Sequence, residues 1–232
     1  MSNGVTPPRA AYDVITFDCY GTLIDWERGI AGALLAAARD AEIEVEPERA
    51  LGIFHEVEPM VQGAAFAPYR DVLAATARQV AEFLGWELDD TAAARFAASV
   101  PDWPPFADTA AALRRLAAAG YTLGILSNVD DDLLAGTLRH FDTPFDLIVT
   151  AQQVRSYKPA HGHFLAARDQ IGGRRWLHAA QSLFHDVRPC NELGIPVVWV
   201  NRQAEQIPPD GPRPLETVPS LAALADWLGA PA

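Results

Sequence analysis

The hydrophobic pattern of this chain changes period twice. Tyr12–Phe17 (YDVITF) is short, β-branched and aromatic, which predicts a buried strand. It runs into Asp18-Cys19-Tyr20-Gly21-Thr22-Leu23, where Gly21 permits a tight turn. From about Glu27 to Ser99 the pattern is wholly helical and rich in Ala, Leu, Glu and Arg. Breaks near Glu46-Pro47, Gly63 to Pro68 and Gly85 to Asp90 divide it into about four helices with no strand. Pro101-Asp102-Trp103-Pro104-Pro105 closes the segment, because adjacent prolines cannot continue a helix.

Beyond that break, strands and helices alternate. The pattern predicts strands at Thr122–Leu126, Leu147–Val149, Trp176–Ala180 and Val197–Val200. Helices are predicted at Thr109–Ala119, Asp131–Arg139, His163–Ile171, Val187–Leu193 and Leu221–Leu228. Alternation of this kind means an α/β fold, a Rossmann-like parallel sheet covered on both faces. The all-helical block after the first strand is then a cap inserted into that core. This assigns 1–25 and 104–232 to the core domain and 26–103 to the cap. In such sheets the chemistry lies beyond the carboxyl ends of the strands.

Composition narrows the partners. A formal net charge of −12 argues against nucleic acid or an anionic membrane surface. It also requires that any anionic substrate be held by a local positive site. No apolar run approaches the roughly 20 residues that span a bilayer. The opening Met1–Arg9 has no apolar core and does not read as a signal peptide. Cys19 and Cys190 fit neither a zinc pattern nor a disulfide framework, and suggest a reducing, cytoplasmic setting.

Four consecutive strand ends carry polar groups. The first delivers Asp18, the second Ser127-Asn128, the third is followed by Ser156-Tyr157-Lys158-Pro159, and the fourth runs into Gln181-Ser182-Leu183-Phe184-His185-Asp186. Each alone is an ordinary turn or cap residue. Together they bring a carboxylate, a hydroxyl-amide pair, an ammonium and a His-Asp pair to one sheet edge.

That order resembles the haloacid dehalogenase superfamily over nearly the whole chain. Phe17-Asp18-Cys19-Tyr20-Gly21-Thr22-Leu23 is similar to its first motif, Ser127 to its second, Lys158 to its third and Asp186 to its acidic fourth. Phosphatases of the superfamily carry an Asp two residues after the nucleophile, as the acid for the leaving alkoxide, and need Mg²⁺. Here that position is Tyr20, and Gln181 stands where their fourth motif usually begins with Asp. The Asp-x-Tyr-Gly-Thr-Leu form with Tyr-Lys-Pro downstream resembles the 2-haloacid dehalogenases. That resemblance implies hydrolysis of short 2-haloalkanoic acids to 2-hydroxy acids, with no metal or cofactor. Asp18 attacks the halogen-bearing carbon, and water then hydrolyses the aspartyl ester.

The resemblance also implies roles. Lys158 pairs with Asp18 and keeps it ionised. Ser127 and Asn128 bind the substrate carboxylate, aided by backbone N–H groups of the Cys19-Tyr20 loop. Thr22 fixes the loop, Tyr20 lines the leaving-group side, and Gln181 sits beside the substrate. Glu27, nine residues after Asp18, and His185, before Asp186, resemble a water-activating His/Glu pair of another dehalogenase branch. The other five histidines, His55, His140, His161, His163 and His178, read as surface or core. The cap lacks the Trp-Arg pair that receives halide in the better-known group; its nearest segment is Phe54-His55-Glu56-Val57-Glu58, and Arg49 or Arg70 is the candidate replacement. Position 164, a Tyr in that group, is Phe. Phe54, Phe66, Tyr69, Phe83 and Met60 are candidates for an apolar pocket wall. The implied partners are a haloacid and a halide ion. Homodimers are frequent in the resembling family, though no feature of this sequence decides the point. Three alternatives stay open: hydrolysis of another activated C–X bond, such as a strained azetidine carboxylate; a phosphatase; and a binding protein on a relict hydrolase core.

Overall fold

The computed structural model describes residues 11–63 and 65–231. The signal-peptide reading of Met1–Arg9 and the outermost ends of the core assignment lie outside them. The first strand, β1 (Val14–Phe17), is buried along its whole length. Four helices follow: α1 (Trp26–Asp40), α2 (Pro47–Gln62), α3 (Tyr69–Phe83) and α4 (Asp90–Ala98). They pack on one another through Ile30, Leu34, Phe54, Leu73, Val80 and Phe96, which recur at helical spacing on inward faces. The chain breaks into helices where the sequence predicts, at Pro47, around Pro68 and at Asp89, whose carboxylate caps the N–H of Ala92.

The segments that lead out to these helices and back lie side by side. Asp25 N–H donates to Pro104 O at 2.8 Å and Phe106 N–H to Leu23 O at 3.1 Å, with Ile24 bridged to Pro105. Close by, α1 crosses the returning chain at Gly29, where a methyl would overlap the indole of Trp103.

Helix α5 (Thr109–Ala118) then leads to β2 (Thr122–Ser127), α6 (Asp131–Thr137), β3 (Leu147–Thr150), α7 (Ala151–Val154), α8 (Gly162–Ile171) and β4 (Trp176–Ala180). A π-type turn at Leu183–Val187 runs into α9 (Arg188–Leu193), followed by β5 (Val197–Val200), β6 (Glu216–Val218) and α10 (Leu221–Trp227). The six strands form one parallel sheet in the order β3-β2-β1-β4-β5-β6. Alternation along β1 sends Ile15 and Phe17 into the core that includes α1–α5 and α10, and Val14 into the core under α8 and α9.

The α/β class, the parallel sheet and the helical insertion are as the sequence predicts. Two short elements are not. Strand β6 is three residues between Pro214 and Pro219, and α7 is a single turn capped by Thr150. The topology explains the site. Because the chain leaves β1 toward β2 and leaves its neighbour β4 the other way, toward β5, a crevice opens at the carboxyl end of β1. Asp18 is the residue placed there. Among the described residues, no helix is long and apolar enough to cross a membrane.

Candidate active site

Asp18 continues the edge of β1, its N–H donating to Ala179 O at 3.1 Å. The chain then turns sharply. Leu23 and Ile24 N–H both donate to Cys19 O, and Gly21, at φ +98°, donates to Ile24 O. Gly21 is required there: the left-handed backbone disfavours a side chain, and a methyl would press on Trp26 and Gln181. The turn leaves the N–H groups of Cys19 and Tyr20 without a hydrogen-bond partner among the described residues. It also brings Thr22 back under Asp18. Thr22 Oγ1 donates to Asp18 Oδ2 at 2.8 Å and accepts the N–H of Gln181 at 2.9 Å, tying the first motif to the end of β4.

Lys158 is the centre of the charge arrangement. Its side chain is 1% exposed, and its ammonium donates to Asp18 Oδ1 at 2.9 Å, Asp186 Oδ1 at 2.7 Å and Leu126 O at 2.9 Å. All three ammonium protons are therefore used. Asn128 holds the lysine backbone from both sides, accepting Lys158 N–H at 2.7 Å and donating to Lys158 O at 3.0 Å. The two carboxylates share this cation unequally. Burial raises the pKa of each, but for Asp186 the Lys158 charge and a hydrogen bond from His178 prevail and hold it well below its ordinary value. For Asp18 burial prevails over Lys158, with Asp186 repulsion adding, and its carboxyl stands above its ordinary value. Lys158 itself is raised: burial opposes its charge, but the two carboxylates outweigh it.

Behind Asp186 runs a buried relay. His178 Nε2 lies 3.0 Å from Asp186 Oδ1, and its Nδ1 lies 2.8 Å from Thr16 Oγ1, which accepts Trp176 Nε1–H at 2.7 Å. Parallel register between β1 and β4, pairing Thr16 with His178, makes this contact. His163 is buried too, its pKa pushed down to about 3 by burial and by the Lys158 charge. These two histidines are core residues, as the sequence reading has them, but His178 also braces Asp186.

A cavity of about 590 Å³ opens over Asp18 between the sheet edge and the cap helices. Ser127 lines it, its Oγ buried and without a hydrogen-bond partner among the described residues. Tyr20 lines it with its ring. Thr137 Oγ1 donates to Leu133 O, so the Tyr20 hydroxyl donates to Thr137 at 2.9 Å. Burial pushes that phenol well above its ordinary pKa. The Cys19 thiol is packed in the core, likewise raised by burial, so only its backbone can face a ligand.

Several expectations need correcting. Glu27 and His185 both line the cavity but do not bond to each other. Glu27 receives Gln203 Nε2 at 3.1 Å on both oxygens and lies 3.7 Å from His55, whereas His185 Nδ1 is 3.2 Å from Ser182 Oγ. Burial lowers the His185 pKa, keeping the imidazole neutral. Asn128 spends both ends of its amide on Lys158, and Gln181 donates to Glu205 at 3.2 Å. Neither Arg49 nor Arg70 reaches the cavity; Arg70 is held by Asp130 and Asp132. Of the five candidate wall residues, Phe54 and Tyr69 line the cavity. Phe66 stacks on Tyr157, while Phe83 (63%) and Met60 (66%) are exposed.

Sequence reasoning missed three cavity residues of consequence. Arg202, after β5, donates to Thr22 O and Asp108 and lies over the Phe106 ring at 3.9 Å. His55 and Glu58 lie on α2 in the segment Phe54-His55-Glu56-Val57-Glu58, and the signal that places them is its helical spacing.

Residues 12–181 match the family described as haloacid dehalogenase-like hydrolase. An (S)-2-haloacid dehalogenase of Pseudomonas putida is 28% identical over 228 residues, 92% of this chain and 95% of the relative. Among solved structures, the L-2-haloacid dehalogenase from Xanthobacter autotrophicus with chloropropionic acid covalently bound aligns with a TM-score of 0.82 at 19% identity, covering 95% of this chain and all of that one. A defluorinating L-2-haloacid dehalogenase aligns with a TM-score of 0.81 at 21% identity, covering 94% and 96%. These structural likenesses are of fold.

Proposed function

The chain belongs to the haloacid dehalogenase-like hydrolases, and on that footing we propose that it hydrolyses a 2-haloalkanoic acid to the 2-hydroxy acid through an ester on Asp18. The observation that carries this reading is the Asp18 carboxyl at the open end of β1. It faces the cavity while Lys158 and Thr22 hold its two oxygens. A carboxylate so fixed is oriented for in-line attack on a carbon brought to it. Position 20 supports the choice of bond: a phenol already donating to Thr137 supplies no proton to an alkoxide. The Pseudomonas relative's (S)-2-haloacid dehalogenase activity supports the substrate class.

In this mechanism the substrate carboxylate takes the unpartnered Ser127 hydroxyl and the free N–H groups of Cys19 and Tyr20. The halogen-bearing carbon then faces Asp18, and Tyr20 walls the leaving-group side. As Asp18 loses its charge to the ester, Lys158 remains paired with Asp186, so no buried cation is stranded. Water then attacks the ester carbonyl. In the tautomer that carries its proton on Nδ1, neutral His185 keeps a lone pair on Nε2 to take the water proton. Glu27 acts at a distance, through the cavity rim it forms with Gln203 and His55.

One turnover of (S)-2-chloropropionate in ¹⁸O water tests the covalent step. Label is expected in the Asp18 carboxyl with stoichiometric chloride release, and Asp18→Asn should abolish both. Label in the hydroxy acid alone would refute the ester. Phosphate release from p-nitrophenyl phosphate with Mg²⁺, without halide release from any haloacid, would make the chain a phosphatase.

A further inference from the structure

The cap side of the cavity carries a carboxyl that this mechanism leaves idle. On α2, Phe54, His55, Glu58 and Gln62 are spaced three and four apart and all line the cavity, so they form one helix face turned toward it. Gln62 Nε2 donates to Glu58 Oε1 at 3.0 Å, and the Tyr69 hydroxyl of α3 draws the pKa of the same carboxyl down. Among the described residues, no lysine, arginine or histidine forms an ion pair with it. The other titratable and charged groups about this space are Asp18, Tyr20, Asp25, Glu27, His55, Tyr157, Lys158, His185, Asp186, Arg202 and Glu205.

An acidic side chain without a cation is an odd lining for a site that receives an anion. It is less odd if the carboxyl is neutral. Burial pushes the Glu58 pKa up to about 7 against the pull of Tyr69. A bound carboxylate raises it further, because like charges disfavour ionisation.

We propose that Glu58 acts in the substrate complex as a neutral carboxylic acid that donates a hydrogen bond to the group leaving the carbon attacked by Asp18. This fits the enzyme to fluoride, whose departure depends on such a donor far more than that of chloride or bromide. The inference rests on Asp18 being the nucleophile. As the Asp18 oxygen bonds to carbon, the C–F bond breaks with its electron pair, and fluoride leaves held by the Glu58 O–H, which keeps its proton because HF is the stronger acid. Water attacking the ester gives one proton to His185, which passes it to the departing alkoxide. The proton left on the Asp18 carboxyl goes to solvent. The sum is R–F plus H₂O giving R–OH plus F⁻ and H⁺.

The test compares 2-fluoropropionate with 2-bromopropionate in wild type and Glu58→Gln, which keeps the shape but is a much weaker hydrogen-bond donor than a carboxylic acid and does not titrate. A hydrogen bond to a charged group is typically worth about tenfold or more, so the fluoro-to-bromo ratio of kcat/KM should fall by about tenfold. The wild-type rate on the fluoro substrate should fall as pH rises through the Glu58 pKa, and the variant should lack that limb. Should Glu58→Gln not fold, Tyr69→Phe serves instead: it removes the hydroxyl that draws the Glu58 pKa down and should move the limb to higher pH. Equal loss on both substrates, or an unchanged limb, overturns the proposal. A second readout needs no turnover. Binding of (S)-lactate, followed by calorimetry in two buffers at alkaline pH, should take up a proton in wild type and none in Glu58→Gln. Absence of binding or of uptake in wild type counts against Glu58. Wild type that processes no haloacid yet takes up the proton removes the dehalogenase reading and leaves the acid standing.

Discussion

One ammonium divided between two carboxylates sets the behaviour of Asp18. Asp186 has Lys158 and His178 on the same oxygen; Asp18 has Lys158 on one oxygen and a neutral hydroxyl on the other. Asp186 therefore carries the settled negative charge, and Asp18 is the one that takes a proton as pH falls, at a pH above its ordinary value of 3.8. For the proposed nucleophile the sign follows directly. A raised pKa means that activity is lost on the acid side earlier than an exposed aspartate would lose it. The profile of kcat/KM against pH for the free enzyme should show this acid limb displaced upward, and a limb at or below 3.8 would contradict the charge division. Much of this was legible in the sequence: Asp18, Thr22, Lys158 and Asp186 stand at strand ends that a parallel sheet must bring together. What was not legible is choice of partner. Glu27 bonds to Gln203 and Asn128 to the Lys158 backbone because of how separate loops meet, and no local spacing encodes that. His178 likewise finds Asp186 only through the register of β4 on β1.

Among the elements, helices were easier to read than the short pieces between them. Pro47, Pro68 and Asp89 mark starts that any helix would respect, so α2, α3 and α4 begin where the pattern predicts. Strand β6, by contrast, has three residues and one buried side chain, too little for a period to appear, and it exists because β5 offers it an edge. Packing between elements leaves a clearer trace at Gly29. The close approach of α1 to Trp103 depends on the missing side chain, although a glycine inside a helix disfavours the helix itself by roughly 1 kcal/mol relative to alanine. Gly29→Ala should therefore destabilise despite the better helix former, by about 1–3 kcal/mol from overpacking. Urea denaturation measures this. A stabilised Gly29→Ala would mean that the Trp103 contact yields freely.

For the molecule as a whole, the net charge of −12 and the proposed anionic substrate oppose each other. Lys158 is fully committed and Arg202 largely so, which leaves little positive field to draw an anion in from a distance. Salt should help. Raising ionic strength from about 0.02 to 0.2 M with a halide-free salt shortens the screening length severalfold and should lower KM for a haloacid by about twofold at constant pH. A KM that rises with salt would point instead to a local cation guiding the substrate. The side-by-side segments at Leu23–Asp25 and Pro104–Phe106 bear on a different question, that of ancestry. A segment whose two ends are already hydrogen-bonded neighbours closes its own loop, so the sheet feels the same boundary whatever lies between them. Exchange of the whole helical excursion for another of different length needs no change in the strands. One catalytic platform can thus acquire a new pocket roof, and with it a new substrate, in a single recombination event.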